Sequence, residues 1–163
     1  AMAAVLGAGW VGVAAAACLV EAYRFGTSPP PGGEVTYLAW RWVAVDGFTP
    51  EIALRLDPLS VVMMLVVTVV GFFIHLYSTE YMAGDARYAA FFSYMNLFVA
   101  SMLLLVLGDN LLLLYLGWEG VGLCSFLLIG FWYHEQANVD AARKAFLVTR
   151  IGDTAMAVVG KAN

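Results

Sequence analysis

Residues 111–131 read LLLLYLGWEGVGLCSFLLIGF, a continuous apolar run that contains one charged residue, Glu119. About 20 apolar residues are enough for a helix to cross the hydrocarbon core of a bilayer. The core offers no water to backbone groups, so a spanning run of this kind must be helical. A carboxylate at that depth costs several kcal/mol. The stretch therefore predicts a transmembrane helix that retains Glu119 for function or for a buried partner charge.

Four further apolar blocks predict an all-α membrane protein with about five transmembrane helices. The chain of 163 residues is 63% hydrophobic and 12% charged, whereas soluble domains are nearer half apolar and a quarter charged. We expect residues 1–23 to form one transmembrane helix, residues 24–56 an extramembrane loop, and residues 57–163 four further transmembrane helices. The further blocks lie at about residues 3–23, 59–77, 89–107 and 141–160.

Local signals mark where these helices begin. Asp57 is placed to cap the second block, with Pro58 in its first turn. Asp109-Asn110 predicts a tight turn between antiparallel helices. Asn138 or Asp140 is predicted to cap the last block.

The one long connection predicts a small extramembrane β-hairpin. Residues 28–33, SPPPGG, are loop-forming by composition. Residues 35–45 and 52–56 are short and β-prone, and Asp46-Gly47 between them is a hairpin signal. Arginine and lysine counts on the two sides of the predicted bundle are too similar to give an orientation.

Other patterns in the sequence argue against several classes of function. The net charge is −4 without a basic cluster, which disfavours binding to nucleic acid. The sequence GAGWVG at residues 7–12 matches a dinucleotide motif, but it lacks a preceding strand and is better explained by close helix packing. Cys18 and Cys124 are expected to be packing residues. His75 and His134 are expected at unequal depths, which disfavours a shared haem.

Five polar residues are the candidates for proton translocation. Glu119 is a candidate proton relay or a protonated structural residue. Arg150 and Asp153 are three residues apart and can pair on one helix face, either as a self-neutralising pair or as a switchable charge. Lys144 either extends to the membrane surface or joins the polar chain. His75 has either a structural or a proton-transfer role.

Several segments resemble the antiporter-like subunit family of respiratory complex I, known as subunit L in bacteria and chain 5 in mitochondria. The resemblance covers about residues 35–156. Its longest motif is NLLLLYLGWEGVGLCSFLLIGF at residues 110–131. The others are LDPLS at 56–60, FIHLY at 73–77, NLFVASM at 96–102 and KAFLVTRIGD at 144–153.

The resemblance implies a fold of two inverted five-helix repeats, of which this chain would hold part of the first. Glu119 matches the family glutamate that couples to a lysine on a later, broken helix. Arg150 and Asp153 match the motif pair of the following helix, and Lys144 matches a lysine at its start. His75 matches a family position of less certain role. The family's long loop lies on the outer face of the membrane.

The resemblance also implies a function: proton translocation coupled to quinone reduction by NADH. The partners would be other membrane subunits of complex I and the lipid bilayer, in the bacterial plasma membrane or, alternatively, the mitochondrial inner membrane. FMN, iron–sulfur clusters and quinone would belong to partner subunits, with no cofactor in this chain. The rival expectations are a subunit of a multi-subunit cation/proton antiporter and a non-conducting structural fragment.

The chain departs from the family pattern at both ends. It lacks a match to the family's first helix, to the lysine-bearing helix and to the second repeat. The tail at residues 160–163, GKAN, departs from the expected apolar continuation. We therefore expect an N-terminal fragment or a truncated gene product.

Overall fold

The computed structural model describes residues 2–41 and 51–160 and is predominantly helical. Residues Pro58–Tyr81 form one continuous span in which a π-helical segment joins two α-helices. In chain order the elements are α1 (Met2–Thr27), a 3-10 turn (Pro31–Gly33), β1 (Val35–Arg41), β2 (Glu51–Leu56), α2 (Pro58–Leu65), the π-helix (Val66–Val70), α3 (Gly71–Tyr81), α4 (Tyr88–Leu107), α5 (Leu111–Ile129) and α6 (Gln136–Gly160).

Four segments of the described chain are long and apolar enough to cross a membrane: Met2–Thr27, Pro58–Tyr81, Tyr88–Leu107 and Leu111–Ile129. The predicted all-α membrane fold is confirmed, with four candidate spans among the described residues where about five were predicted. The fifth block is also helical, as α6. It is less apolar than the other four because it carries Arg143, Lys144, Arg150 and Asp153.

Two of the predicted helix starts are confirmed. Asp57 caps α2: its Oδ1 accepts from the Ser60 backbone N–H at 2.7 Å, and the Ser60 hydroxyl accepts from the Asp57 backbone N–H at 2.7 Å. α5 begins at Leu111 as predicted, and its cap is Asn110, for which the sequence predicted only a tight turn: the Asn110 Oδ1 accepts from the Leu113 N–H at 3.0 Å. Each cap satisfies a backbone donor that a helix start leaves unpaired.

The predicted cap of the last helix is wrong. α6 begins at Gln136, so Asn138 and Asp140 lie inside its first turns. Their side chains are used differently: the Asn138 amide donates to the Trp132 carbonyl at 3.2 Å, and Asp140 accepts from the Gln136 side chain at 3.0 Å. Both residue types also hydrogen-bond locally, so their presence does not by itself fix a cap position.

Strands β1 and β2 form the predicted antiparallel pair, from Val35 opposite Leu56 to Arg41 opposite Glu51. A register shift between Leu38 and Trp40 bends the ladder. The predicted turn at residues 46–47 lies outside the described residues.

The sheet is joined to the turn between α4 and α5. The Asp109 backbone N–H donates to the Ala53 carbonyl at 3.1 Å, and Leu54 pairs with Gly108 in an isolated bridge. The Asn110 side-chain amide donates to the Glu51 carbonyl at 2.7 Å. Strand β2 therefore holds the same residue that caps α5.

Small residues allow the helices to approach closely. A Cβ added at Gly7 of α1 would lie 2.8 Å from the Phe92 ring, and one at Gly12 would lie 2.9 Å from the Phe72 ring. The glycine motif of α1 thus packs against other helices, as predicted. Cys18 and Cys124 are both buried, in agreement with the predicted packing role.

Candidate functional site

Glu119 of α5 pairs with Arg150 of α6. Arg150 Nη1 is in direct contact with Glu119 Oε2, and their side chains are 35% and 20% exposed. Gly122, about one turn beyond Glu119, faces the guanidinium: a Cβ added there would lie 3.9 Å from Arg150 Nη2, an ordinary van der Waals contact. The Arg150 Cζ lies 4.7 Å from the centroid of the Phe146 ring, a cation–π distance.

Asp153 supplies a second carboxylate beside the same guanidinium. It is 4% exposed, and its Oδ2 lies 3.8 Å from Arg150 Nε. Its Oδ1 accepts a hydrogen bond of 2.7 Å from the indole Nε1 of Trp118. Arg150 Nε is buried without a hydrogen-bond partner among the described residues.

The site thus places one permanent cation between two carboxylates, with one tight and one loose contact. Arginine stays protonated in proteins, so the titratable members are Glu119 and Asp153. A proton added to Glu119 would remove its charge and weaken the tight contact. The arrangement can therefore take up a proton at a carboxylate that is paired with a permanent cation.

A cavity of about 220 Å³ lies beside this cluster. Trp118 and Gly122 contribute to its wall, and two hydroxyl side chains, Ser125 and Thr149, also line it. Both hydroxyls donate to carbonyls of their own helices. The remaining lining residues are Met102, Leu105 and Val121.

Two segments of the chain match known families. Residues 42–92 match the family described as NADH-Ubiquinone oxidoreductase (complex I), chain 5 N-terminus. Residues 108–159, which include the whole cluster, match NADH:quinone oxidoreductase/Mrp antiporter, TM. Together the two segments cover more than half of the chain.

The chain belongs to the complex I chain 5 and Mrp antiporter family. NADH-quinone oxidoreductase subunit L of Pseudomonas aeruginosa is 54% identical over 156 residues, covering 96% of this chain and 25% of the relative. The same subunit of Escherichia coli is 54% identical over 156 residues, covering 94% and 25%. The chain thus spans about a quarter of the length of these curated relatives.

The fold is shared with a solved structure of an Mrp complex. The structure of the Mrp complex from Dietzia sp. DQ12-45-1b matches with a TM-score of 0.72 and 26% identity, covering 96% of this chain and 18% of that chain. The fold of this chain is therefore also that of a segment of the Mrp complex.

Two of the five sequence-predicted residues lie apart from the cluster in this family member. Lys144 is exposed on α6, and the ion pairs of the described residues do not include it. His75 of α3 is fully buried, with Nδ1 2.7 Å from the Gly71 carbonyl and its ring 6.1 Å from that of Phe92. His75 Nε2 has no hydrogen-bond partner among the described residues. His134 lies between α5 and α6 and is exposed, whereas His75 is buried.

Sequence reasoning missed Trp118. The available signal was its position directly before Glu119 in an apolar run, because an indole N–H in such a setting usually needs an acceptor. The sequence also paired Arg150 with Asp153, whereas the direct contact of Arg150 is with Glu119.

A second polar cluster lies just beyond the C-terminal end of α5. Asp85 accepts from the Trp132 indole at 3.0 Å and from the Arg87 backbone N–H at 2.7 Å, and these bonds, the indole first, hold the pKa of the Asp85 carboxyl below its usual range. The Arg87 guanidinium lies 4.4 Å from the ring centroids of both Phe131 and Tyr133. These contacts attach the segment before α4 to the end of α5.

Proposed function

We propose that this chain acts as a proton-translocating membrane subunit of an NADH:quinone oxidoreductase. The 54% identity to proteins named NADH-quinone oxidoreductase subunit L supports this assignment. The observation that carries it is the Glu119–Arg150 pair between two helices of the bundle, with Asp153 beside it. Charged side chains in membrane helices are costly and usually mark ion or proton pathways.

In the proposed cycle, ionised Glu119 holds Arg150. A proton that binds Glu119 neutralises this carboxylate, and the guanidinium is then attracted to the remaining anion, Asp153, at 3.8 Å. Loss of the proton from Glu119 restores the first pair. Each turn moves one proton through Glu119, and the displaced positive charge of Arg150 couples that step to neighbouring charges.

The same proposal assigns Lys144 and His75 to other steps of the proton path, since neither is paired with the cluster. His75 Nδ1 donates to the Gly71 carbonyl in the neutral imidazole, which leaves Nε2 as a buried acceptor. Lys144 is exposed, six residues before Arg150 and nine before Asp153 in α6, and is an entry position for a proton from the aqueous side.

The redox chemistry belongs to partner subunits in this proposal, with FMN, iron–sulfur clusters and quinone outside this chain. The chain is a multi-pass integral membrane protein. Its partners would be other membrane subunits of the complex, in a bacterial plasma membrane, as the bacterial relatives support.

The test replaces Glu119 by Gln in native membranes that contain this chain and measures proton uptake driven by NADH oxidation. We expect uptake to fall at least about tenfold, because glutamine keeps the shape of the side chain but does not titrate. Glu21→Gln in α1 is the matched control, since Glu21 forms an exposed pair with Arg24. Unchanged uptake by a normally assembled Glu119→Gln complex would refute the proposal.

The second candidate is a cation/proton antiporter subunit, which the Mrp complex match favours. In that case proton flux would depend on a sodium gradient and would continue without NADH. Flux that requires NADH and is insensitive to sodium would exclude this candidate.

A further inference from the structure

We propose that Trp118 is a positioning residue of this site: its indole N–H holds Asp153 beside Arg150, while Arg150 pairs with Glu119. The inference rests on the proposed function, and it adds a residue whose contribution neither the sequence nor the family matches assign. It begins from one hydrogen bond, Trp118 Nε1 to Asp153 Oδ1 at 2.7 Å.

Two adjacent residues of α5 bind two residues on one face of α6. Trp118 binds Asp153, and Glu119 binds Arg150. Arg150 and Asp153 are three residues apart in α6 and therefore share a helix face. This double attachment places the α6 face that carries both charged residues opposite the Glu119 carboxylate.

The hydrogen bond limits what Asp153 can do. A carboxylate has two oxygens, and Trp118 occupies Oδ1. The other oxygen, Oδ2, is 3.8 Å from Arg150 Nε, which is too far for a hydrogen bond. Arg150 Nε is left without a partner among the described residues. Asp153 is thereby kept as a second, looser contact for the guanidinium.

Removal of the N–H would release Asp153 from this position. The freed carboxylate could turn toward Arg150 Nε and form a close ion pair, which competes with Glu119 for the same guanidinium. Arg150 would then stay with Asp153 whether or not Glu119 carries a proton. The coupling between proton binding at Glu119 and movement of Arg150 would be lost.

The alternative is that Trp118 only packs. Its side chain is 47% exposed, so much of the ring faces away from the rest of the chain, and the N–H is its specific polar contact. A packing role depends on the shape of the ring. A positioning role depends on the N–H, so the two are separable by an isosteric replacement.

The test incorporates benzothienylalanine at position 118 in native membranes, which keeps the bicyclic shape and replaces the N–H by sulfur. We expect proton uptake per NADH oxidised to fall about tenfold, the usual effect of losing a hydrogen bond to a charged group. Trp118→Phe should lower uptake equally. A protein with 4-fluorotryptophan at position 118, which retains the N–H, should show wild-type uptake. Trp10→Phe, at an exposed position in α1, is the matched control.

A spectroscopic measurement tests the hydrogen bond itself. The indole N–H resonance of Trp118 should shift toward that of an unbonded indole in Asp153→Ala and remain in place in Lys144→Ala. An unchanged resonance in Asp153→Ala would overturn the inference.

Glu119→Gln distinguishes a failure of the proposed function from a failure of the inference about Trp118. If Glu119→Gln abolishes uptake and benzothienylalanine lowers it, the positioning role is supported. If Glu119→Gln abolishes uptake and benzothienylalanine at position 118 has no effect, Trp118 is not a positioning residue, although the proposed function stands. If Glu119→Gln has no effect, the proposed function fails and this inference fails with it.

Discussion

Gly117 of α5 lies so close to Leu105 of α4 that a Cβ on the glycine would stand 2.5 Å from the Leu105 backbone nitrogen. The same atom would be 2.7 Å from the Leu105 Cα. Because the obstacle is backbone, a side-chain rotation cannot relieve it. This contact fixes the rotation of α5 just before the two residues, Trp118 and Glu119, that bind α6.

Gly117→Ala should therefore separate α4 from α5 and destabilise the fold by about 1–3 kcal/mol, the usual cost of an overpacked site. The measurement is the free energy of unfolding of the purified chain in detergent. Gly9→Ala is the matched control in α1, since nothing lies within 4 Å of a Cβ added there. Equal stability of the two variants would contradict the close approach of α4 and α5.

The Glu119–Arg150 pair should show strong coupling in a double-mutant cycle. Glu119→Leu alone leaves Arg150 facing only the Asp153 carboxylate, and we expect the free energy of unfolding to fall by on the order of 2 kcal/mol. This is less than for a fully buried pair, because both side chains are partly exposed. Glu119→Leu combined with Arg150→Leu should recover more than half of that loss. Unfolding free energies that simply add would show that the two side chains do not interact.

Asn110 should prove to have two separable roles. Asn110→Ala removes both the cap to Leu113 and the hydrogen bond to the Glu51 carbonyl. We expect the free energy of unfolding to fall by about 1–2 kcal/mol. Asn110→Asp keeps the capping oxygen and loses the amide donor, so it should loosen β2 and leave the first turn of α5 intact. Hydrogen exchange of the Leu113 and β2 amides checks this. Equal exchange at Leu113 in both variants would contradict the separation.

The cap of α2 should depend on pH. The Ser60 backbone N–H, first among several contacts, holds the pKa of the Asp57 carboxyl below its ordinary value of about 3.9. A depressed pKa in the folded state contributes stability that is complete above the ordinary pKa and is lost as pH falls through the folded pKa. Thermal unfolding at decreasing pH should thus show a steeper loss for the wild type than for Asp57→Asn.

Asparagine is the informative replacement because it caps helices well and does not titrate. The difference between the two unfolding curves isolates Asp57 from the other carboxylates of the chain. Parallel curves down to acidic pH would show that the charge of Asp57 does not stabilise the cap.

The parts of the fold that were predicted correctly depend on local signals. Asp57 with Pro58, and Asn110 before an apolar run, determine helix starts through contacts within a few residues. The start of α6 was predicted wrongly because Asn138 and Asp140 are common capping types that also hydrogen-bond inside a first turn. The π-helix at Val66–Val70 lies inside one continuous apolar run, and hydrophobicity predicts that the run spans the membrane but does not predict which type of helix forms within it.

The sequence predicted three members of the cluster, but it predicted neither Trp118 nor the pairing of Arg150 with Glu119. The cost of a charge in a membrane helix identified Glu119, Arg150 and Asp153. The partner of Arg150 depends on how α5 and α6 cross, and spacing along α6 can reveal only the neighbour at Asp153. The contribution of Trp118 depends on the same crossing.

The two ends of α5 are attached to different parts of the chain. At its start, strand β2 holds Asn110, and just beyond its end, Phe131 packs against the Arg87 guanidinium. A helix attached at both ends resists sliding along its own axis. Piston-like motion of α5 is therefore opposed, and in the cycle proposed above the Arg150 side chain is the part that shifts while α5 keeps its position.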